Sequence, residues 1–191
     1  MYYHDSIFTF LPVFTTLFAL IQIVLYLIDS FALHRMAGNT GMKNPWIAWI
    51  PFAKDYLLGS LADRYNDTIR EKKTRFHLWL TLLSAAQAPL AAVSIMVFGA
   101  VLFLIAYARP TIMLLDLLGI LFIAAVGLLY QVCYLITFYY VIMDFEPSRA
   151  LLYTILAFFH LGGICLLISR NNVPVGIAGQ CQPLQPKYNV R

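Results

Sequence analysis

Long apolar runs alternate along this chain with short polar interruptions, and the runs have a length that suits helices. They cover about residues 7–33, 76–108, 112–143 and 151–169, and none holds more than one acidic or basic side chain. About 20 apolar residues span a hydrocarbon core as a helix, whereas barrel strands need only about 9–11 alternating positions. The pattern predicts an all-α fold, an integral membrane bundle of four transmembrane helices. As single helices the second and third runs would each measure about 48 Å at 1.5 Å per residue. That exceeds a core of roughly 30 Å.

The surplus lies at matching ends. His77, Thr81, Ser84 and Gln87 make the second run semi-polar early, and Tyr130, Gln131, Tyr134, Tyr139 and Tyr140 do so late in the third. Joined through Ala108-Arg109-Pro110-Thr111, the two runs form an antiparallel hairpin whose overhangs emerge on one side. Pro89 leaves two readings of the second run open, a kinked helix or a broken one.

The segment between the first two runs breaks the pattern. Gly38-Asn39-Thr40-Gly41 is a turn-rich link. Asn44-Pro45 then offers an N-cap followed by proline at the first helical position. Trp46, Trp49, Ile50 and Ala53 recur at helical spacing until Pro51 interrupts them, and Tyr56, Leu57 and Leu61 follow among charges. The stretch 45–64 is too short and too charged to span. Its tryptophans and tyrosines suit the headgroup level, which predicts two short helices lying in, or dipping into, the interface. A plain loop packed on the bundle is the alternative. The membrane domain is thus expected over 1–170, with a disordered tail over 171–191.

Composition agrees with this picture. The chain is 61% hydrophobic and 12% charged, with a mean hydropathy of +0.77, against about 45–50% apolar and about 25% charged in soluble domains. The net charge of +4 is unevenly placed, since eight of the 13 Lys and Arg lie between Arg35 and Arg75. Basic loops beside membrane segments mark a cytoplasmic face, so nucleic acid is not an expected partner. With an outside amino terminus, nine Lys and Arg fall inside and four outside. Both termini are therefore expected outside, with loop 34–75 cytoplasmic. Met1 to Ser6 lacks the basic region of a cleavable signal. Cys133, Cys165 and Cys181 have neither metal-ligand nor disulfide spacing, and no metal or cofactor is expected.

Met42-Lys43-Asn44-Pro45-Trp46-Ile47-Ala48-Trp49-Ile50-Pro51-Phe52, followed by Tyr56-Leu57-Leu58-Gly59, resembles a pattern in uncharacterised small polytopic membrane proteins of Gram-positive bacteria. There a basic linker leads to a Pro-Trp-x-Ala-Trp-Ile-Pro-like stretch, and a last helix ends in Arg-Asn. Tyr153 to Asn172, with Arg170-Asn171-Asn172, resembles that ending. The resemblance implies a bacterial plasma membrane and a four-helix core, and carries no activity. Lys54 stands where the pattern often has asparagine.

Ionisable groups inside membrane segments are default functional candidates, because burial in lipid costs several kcal/mol unless they are paired or hydrated. Asp29, near His34 and Arg35, reads first as an acid reaching the interface or pairing with that basic end. Asp116, six residues inside Pro110, either meets Arg109 and water or faces the bundle, where it could bind a cation or a proton. His160, central in its run, is satisfied by one interhelical hydrogen bond or serves as a proton relay or ligand contact. At 1.5 Å per residue Asp116 and His160 differ in depth by about 10 Å, which argues against a direct dyad. Gln22, Gln87 and Gln131 read as interhelical glue, and Ala124, Ala125, Gly127, Gly162 and Gly163 as close-packing surfaces.

The sequence carries no Gly-x-Ser-x-Gly elbow, no His-Glu-x-x-His, no P-loop and no EF-hand. The expectation is a non-enzymatic multi-pass protein, an accessory, scaffold or sensor component. Trp46, Trp49, Pro51 and Tyr56 would present an aromatic platform to lipid or to a membrane-protein partner. The alternative is a small transporter or channel using the polar residues within the bundle.

Overall fold

Two long helices running in the same direction, bridged by shorter elements, organise the chain. In the computed structural model the backbone is described for residues 3–87, 89–90 and 110–175, and the side chains for 13–87, 89–90 and 118–175. Helix α1 (Tyr3–Asn39) is followed by a 3-10 turn (Pro45–Trp49), α2 (Ala53–Ile69) and α3 (76–87). Helix α4 (Pro110–Phe145), a short 3-10 turn (Pro147–Arg149), α5 (Ala150–Phe158) and α6 (Gly162–Ser169) complete the described residues, among which no strand occurs. The segment 91–109, with the expected hairpin connection before Pro110, lies outside them, as does most of the expected tail.

At 1.5 Å per residue α1 and α4 are each about 55 Å long. Both are apolar and long enough to cross a membrane, over Val13–Asn39 and Leu118–Phe145. Their exposed large apolar side chains run from Val13 to Phe31 on α1 and from Leu118 to Ile136 on α4. Among the described side chains each of these belts extends over about 27 Å by helical rise. The two belts lie level with one another, as contacts through α2 show. Lys54 reaches Asp29 of α1, and its neighbour Asp55 accepts a bond from Tyr130 of α4. Ten residues further along α2, Arg64 joins Thr40 to Asp144 of α4.

Those same contacts show that the segment after α1 folds back. Gly41, at φ 72°, closes α1 with bonds from Gly41 N to Gly38 O and from Met42 N to Ala37 O, a left-handed terminator that glycine adopts without strain. The chain then descends along α1 until Trp49 O accepts a 2.8 Å bond from Tyr26 Oη. Pro51 ends the 3-10 turn, and Phe52 reverses direction at φ 66°. Helix α2 climbs back to the level at which α1 ended. The two short elements expected from the sequence are present, and they dip along α1. Asn44 precedes Pro45 without making the expected side-chain cap.

Residues 151–169 are not a single helix, which corrects the expected fourth span. Helix α5 ends at Phe158, where His160 at φ 62° donates its N–H to Ala157 O and Leu161 donates to Leu156 O. This pair of bonds is a Schellman terminator, and the glycines at 162 and 163 weaken any continuation. Helix α6 then returns. Ser169 Oγ and Asn172 Nδ2 donate to Glu146 Oε2 at 3.3 and 3.2 Å, and Asn39 Nδ2 donates to Arg170 O at 2.8 Å. The segment therefore ends where it began, beside the end of α1. By helical rise α5 and α6 reach only about 14 and 12 Å. Residue 172 and residue 3 consequently lie at opposite ends of α1.

The core gathers where these returning segments pack. Leu33 and Met36 of α1, Leu58 and Leu61 of α2, Leu80 of α3, Phe138 and Ile142 of α4, and Leu166 of α6 are buried together. Phe76 of α3 approaches Tyr140 of α4 with ring centroids 5.7 Å apart. The semi-polar halves of the second and third runs thus cover α2 and the core around it. Of the expected close-packing glycines, Gly162 lies against Phe138, Tyr134 and Ala157, and Gly163 against Asp29, while Gly127 has open space beside it.

Candidate functional site

The two fold-back tips meet in one cavity. Helix α1 supplies Gln22, Leu25, Tyr26 and Asp29, whose spacing places them on one face. Helix α4 adds Tyr130, Gln131 and Tyr134, the first tip adds Lys54, and the second adds Ala157, His160, Gly162 and Gly163. The space they enclose is about 340 Å³. Asp29 lies ten residues before the end of α1, about 15 Å below it by helical rise, and level with the apolar belt.

An ion pair crosses the site. Lys54 Nζ lies 3.0 Å from Asp29 Oδ2 and 4.9 Å from the centre of the Tyr26 ring. Tyr26 is held by its bond to Trp49 O. The second oxygen of Asp29, Oδ1, is buried without a hydrogen-bond donor, and a Cβ added to Gly163 would lie 2.5 Å from it. Only glycine at 163 lets the carboxylate sit against α6. Tyr130 and Tyr134 stack at 6.1 Å. Tyr130 Oη donates to Asp55 Oδ2 at 3.2 Å, and Asp55 is 4% exposed. Ser84 of α3 stands next to this carboxylate.

A second polar cluster anchors α2 further up. Asp63 accepts the backbone N–H groups of Phe76 and His77, at 2.9 and 3.1 Å, together with the hydroxyl of Thr74 and the His77 ring. Burial of the carboxylate opposes ionisation, yet these donors outweigh it and hold Asp63 below its ordinary range. Arg64 donates to Thr40 O at 3.1 Å and to Asp144 Oδ2 at 3.0 Å, and Arg70 donates to Tyr140 Oη. Asp144 is 1% exposed. These contacts fix the register of α2 against α1, α3 and α4, and so set the depth at which Lys54 emerges.

Of the candidates named from the sequence, Asp29 and His160 line the same cavity. Asp116 precedes Tyr130 by 14 residues, about 21 Å along α4, and its side chain lies outside the described residues. Asp29 pairs with a lysine delivered by the returning segment. Trp46, Trp49 and Tyr56 are exposed on the first fold-back segment beside Pro51. Lys54, Asp55, Tyr26, Tyr130 and Tyr134 were not singled out as site residues. Their signal was the shared face of Gln22, Tyr26 and Asp29, matched by Tyr130 and Tyr134 at i, i+4.

Among the described residues no three His, Cys, Asp or Glu side chains gather as a metal site. The lining holds one carboxylate, two amides, three phenols, one lysine and one histidine, and no serine, threonine or cysteine nucleophile. Such an arrangement can hold a polar solute and exchange the partners of an ion pair. The chain matches no protein-family model, no curated protein and no solved structure.

Proposed function

We propose that the protein is a non-enzymatic multi-pass membrane protein of the bacterial plasma membrane that binds a polar solute inside its bundle, as a small transporter or channel component. The observation that carries this reading is the convergence of Asp29, Lys54 and His160 on one cavity, level with the apolar belt and framed by two returning segments. Broken helices at membrane depth are tolerated where they are buried in protein or line a hydrated cavity, and substrate sites are often built from them. On this reading α1, α4 and the run beginning with α3 cross the bilayer, and 42–69 and 150–169 enter and leave by one face. Arg35, Lys43, Arg64, Arg70, Lys72, Lys73, Arg75, Arg149 and Arg170 would all lie on that face. Such an asymmetry makes it cytoplasmic.

The exposed Trp46, Trp49 and Phe52 support a second reading, an aromatic surface for a membrane-protein partner or for lipid. It is compatible with the first, because none of these side chains lines the cavity.

Single-cysteine labelling tests the proposal. In a variant with Cys133, Cys165 and Cys181 replaced, Arg149→Cys and Asn172→Cys are expected to react with an impermeant maleimide from the same side of sealed vesicles. Labelling from opposite sides means that 150–169 spans, which would sink the re-entrant reading. Gln131→Cys is expected to react slowly from water, as a cavity residue should. A lipid-facing control at Leu128 stays unreactive.

A further inference from the structure

We infer that the cavity takes a protonated primary amine, with Asp29 as its counter-charge and the Tyr26 ring as its lid. This rests on the solute-binding reading and names the class of solute. Lys54 already shows how such a group is held: its ammonium lies 3.0 Å from Asp29 Oδ2 and 4.9 Å from the Tyr26 ring centre. An ammonium clamped between a carboxylate and an aromatic face is favourable twice over, by charge and by the ring quadrupole. The site has not used up its capacity, since Asp29 Oδ1 is buried with no donor beside it.

Hydrogen-bonding capacity points the same way. Asp29 Oδ2 is met by the ammonium of Lys54, while Oδ1 keeps acceptor capacity that no protein group uses, and a buried acceptor is costly until a donor joins it. A cation that also donates hydrogen bonds meets this need, and a primary ammonium offers three N–H donors. The volume of about 340 Å³ leaves room beside the lysine for an amine of several heavy atoms. Lys54 then acts as a tethered competitor that occupies Asp29 when no solute is present.

The test uses the full-length protein in mild detergent, with methylammonium chloride as probe and sodium chloride at equal ionic strength as reference. Methylammonium is expected to raise the unfolding midpoint above the sodium reference and to slow maleimide labelling of Gln131→Cys. Asp29→Asn is expected to abolish both effects. Lys54→Met should move the other way, tightening methylammonium binding about tenfold by removing the competitor, which equals about 1.4 kcal/mol. A lysine needed only for folding predicts weaker binding in Lys54→Met, so that result overturns the inference. Equal midpoints in methylammonium and sodium also overturn it. If Gln131→Cys labels while methylammonium gives no protection, the cavity stands and the ligand class falls. If it does not label at all, the solute-binding reading fails first.

Discussion

Gly59 is the position at which one methyl group should do the most damage. It is buried on α2, and a Cβ built there would fall onto the backbone of Phe76 and His77, the first residues of α3. Flexible side-chain ends can swing aside, but a helix start held by Asp63 through Phe76 N and His77 N has nowhere to go. Restoring ordinary carbon contacts of about 3.5–4 Å requires α2 and α3 to part by about 1 Å. Overpacking of this kind costs about 1–3 kcal/mol, and the backbone origin of the clash places it near the upper end. Stretching the Asp63 cap removes about 1 kcal/mol more. Alanine in a helix interior returns about 1 kcal/mol relative to glycine.

The net expectation for Gly59→Ala is a loss of about 2–3 kcal/mol, or about 5–10 °C in a chain of this size. Tryptophan fluorescence during thermal unfolding in detergent reads it directly. Gly38→Ala is the internal control, because nothing lies within 4 Å of its added Cβ. It should be neutral or stabilising by up to about 1 kcal/mol. A Gly59→Ala protein as stable as Gly38→Ala would refute the close approach of α2 and α3.

Three further expectations follow from the anchoring contacts. Asp63 is held below its ordinary carboxylate range, so it binds fewer protons folded than unfolded. Its contribution is complete above about pH 4 and is lost as pH falls through its depressed value. Asp63→Asn should therefore flatten the acid limb of a stability profile, and an unchanged limb argues against the cap. Arg64→Met removes the guanidinium that joins Asp144 to Thr40, and should cost about 2–4 kcal/mol in denaturant unfolding. The matched double variant with Asp144→Leu should recover much of that loss. At His160 the left-handed backbone favours glycine, so His160→Gly should retain the fold while His160→Val loses about 1–2 kcal/mol. Equal stability of the two variants would count against the turn.

Helix positions were legible in the sequence because apolar periodicity and length dominate them. The first and third runs, the two short elements after α1, and the aromatic character of 46–56 all follow from composition. The fate of 151–169 did not, because a continuous apolar run reads the same whether it crosses a bilayer or turns back inside it. What decides is the Schellman turn at His160 and the capture of Ser169 and Asn172 by Glu146. Gly162-Gly163 was the visible hint, and it was read as a packing surface. The site was half legible. Asp29 and His160 stood out as ionisable residues in apolar runs, but Lys54 lay in a loop whose depth no spacing rule reveals. Its meeting with Asp29 depends on Arg64, Asp63 and Arg70 setting the height of α2.

The cavity and the fold-back segments sustain one another. In the proposed membrane setting, each reversal would expose helix-end N–H and C=O groups that hydrocarbon leaves unsatisfied at several kcal/mol apiece. Some are met internally: Trp49 O by Tyr26, and the end of α5 by the bonds from His160 and Leu161. Conversely, the Asp29–Lys54 pair is tolerable within the apolar belt because that space is polar and because Tyr26 caps the ammonium. Two continuous spanning helices in place of these segments would satisfy their own backbones and leave the pair facing lipid. Retaining charge at this depth therefore argues for broken segments, and broken segments at this depth argue for something polar between them. The exposed aromatic side chains of the first tip and the small residues of the second fit that division, one tip presenting bulk outward and the other leaving room.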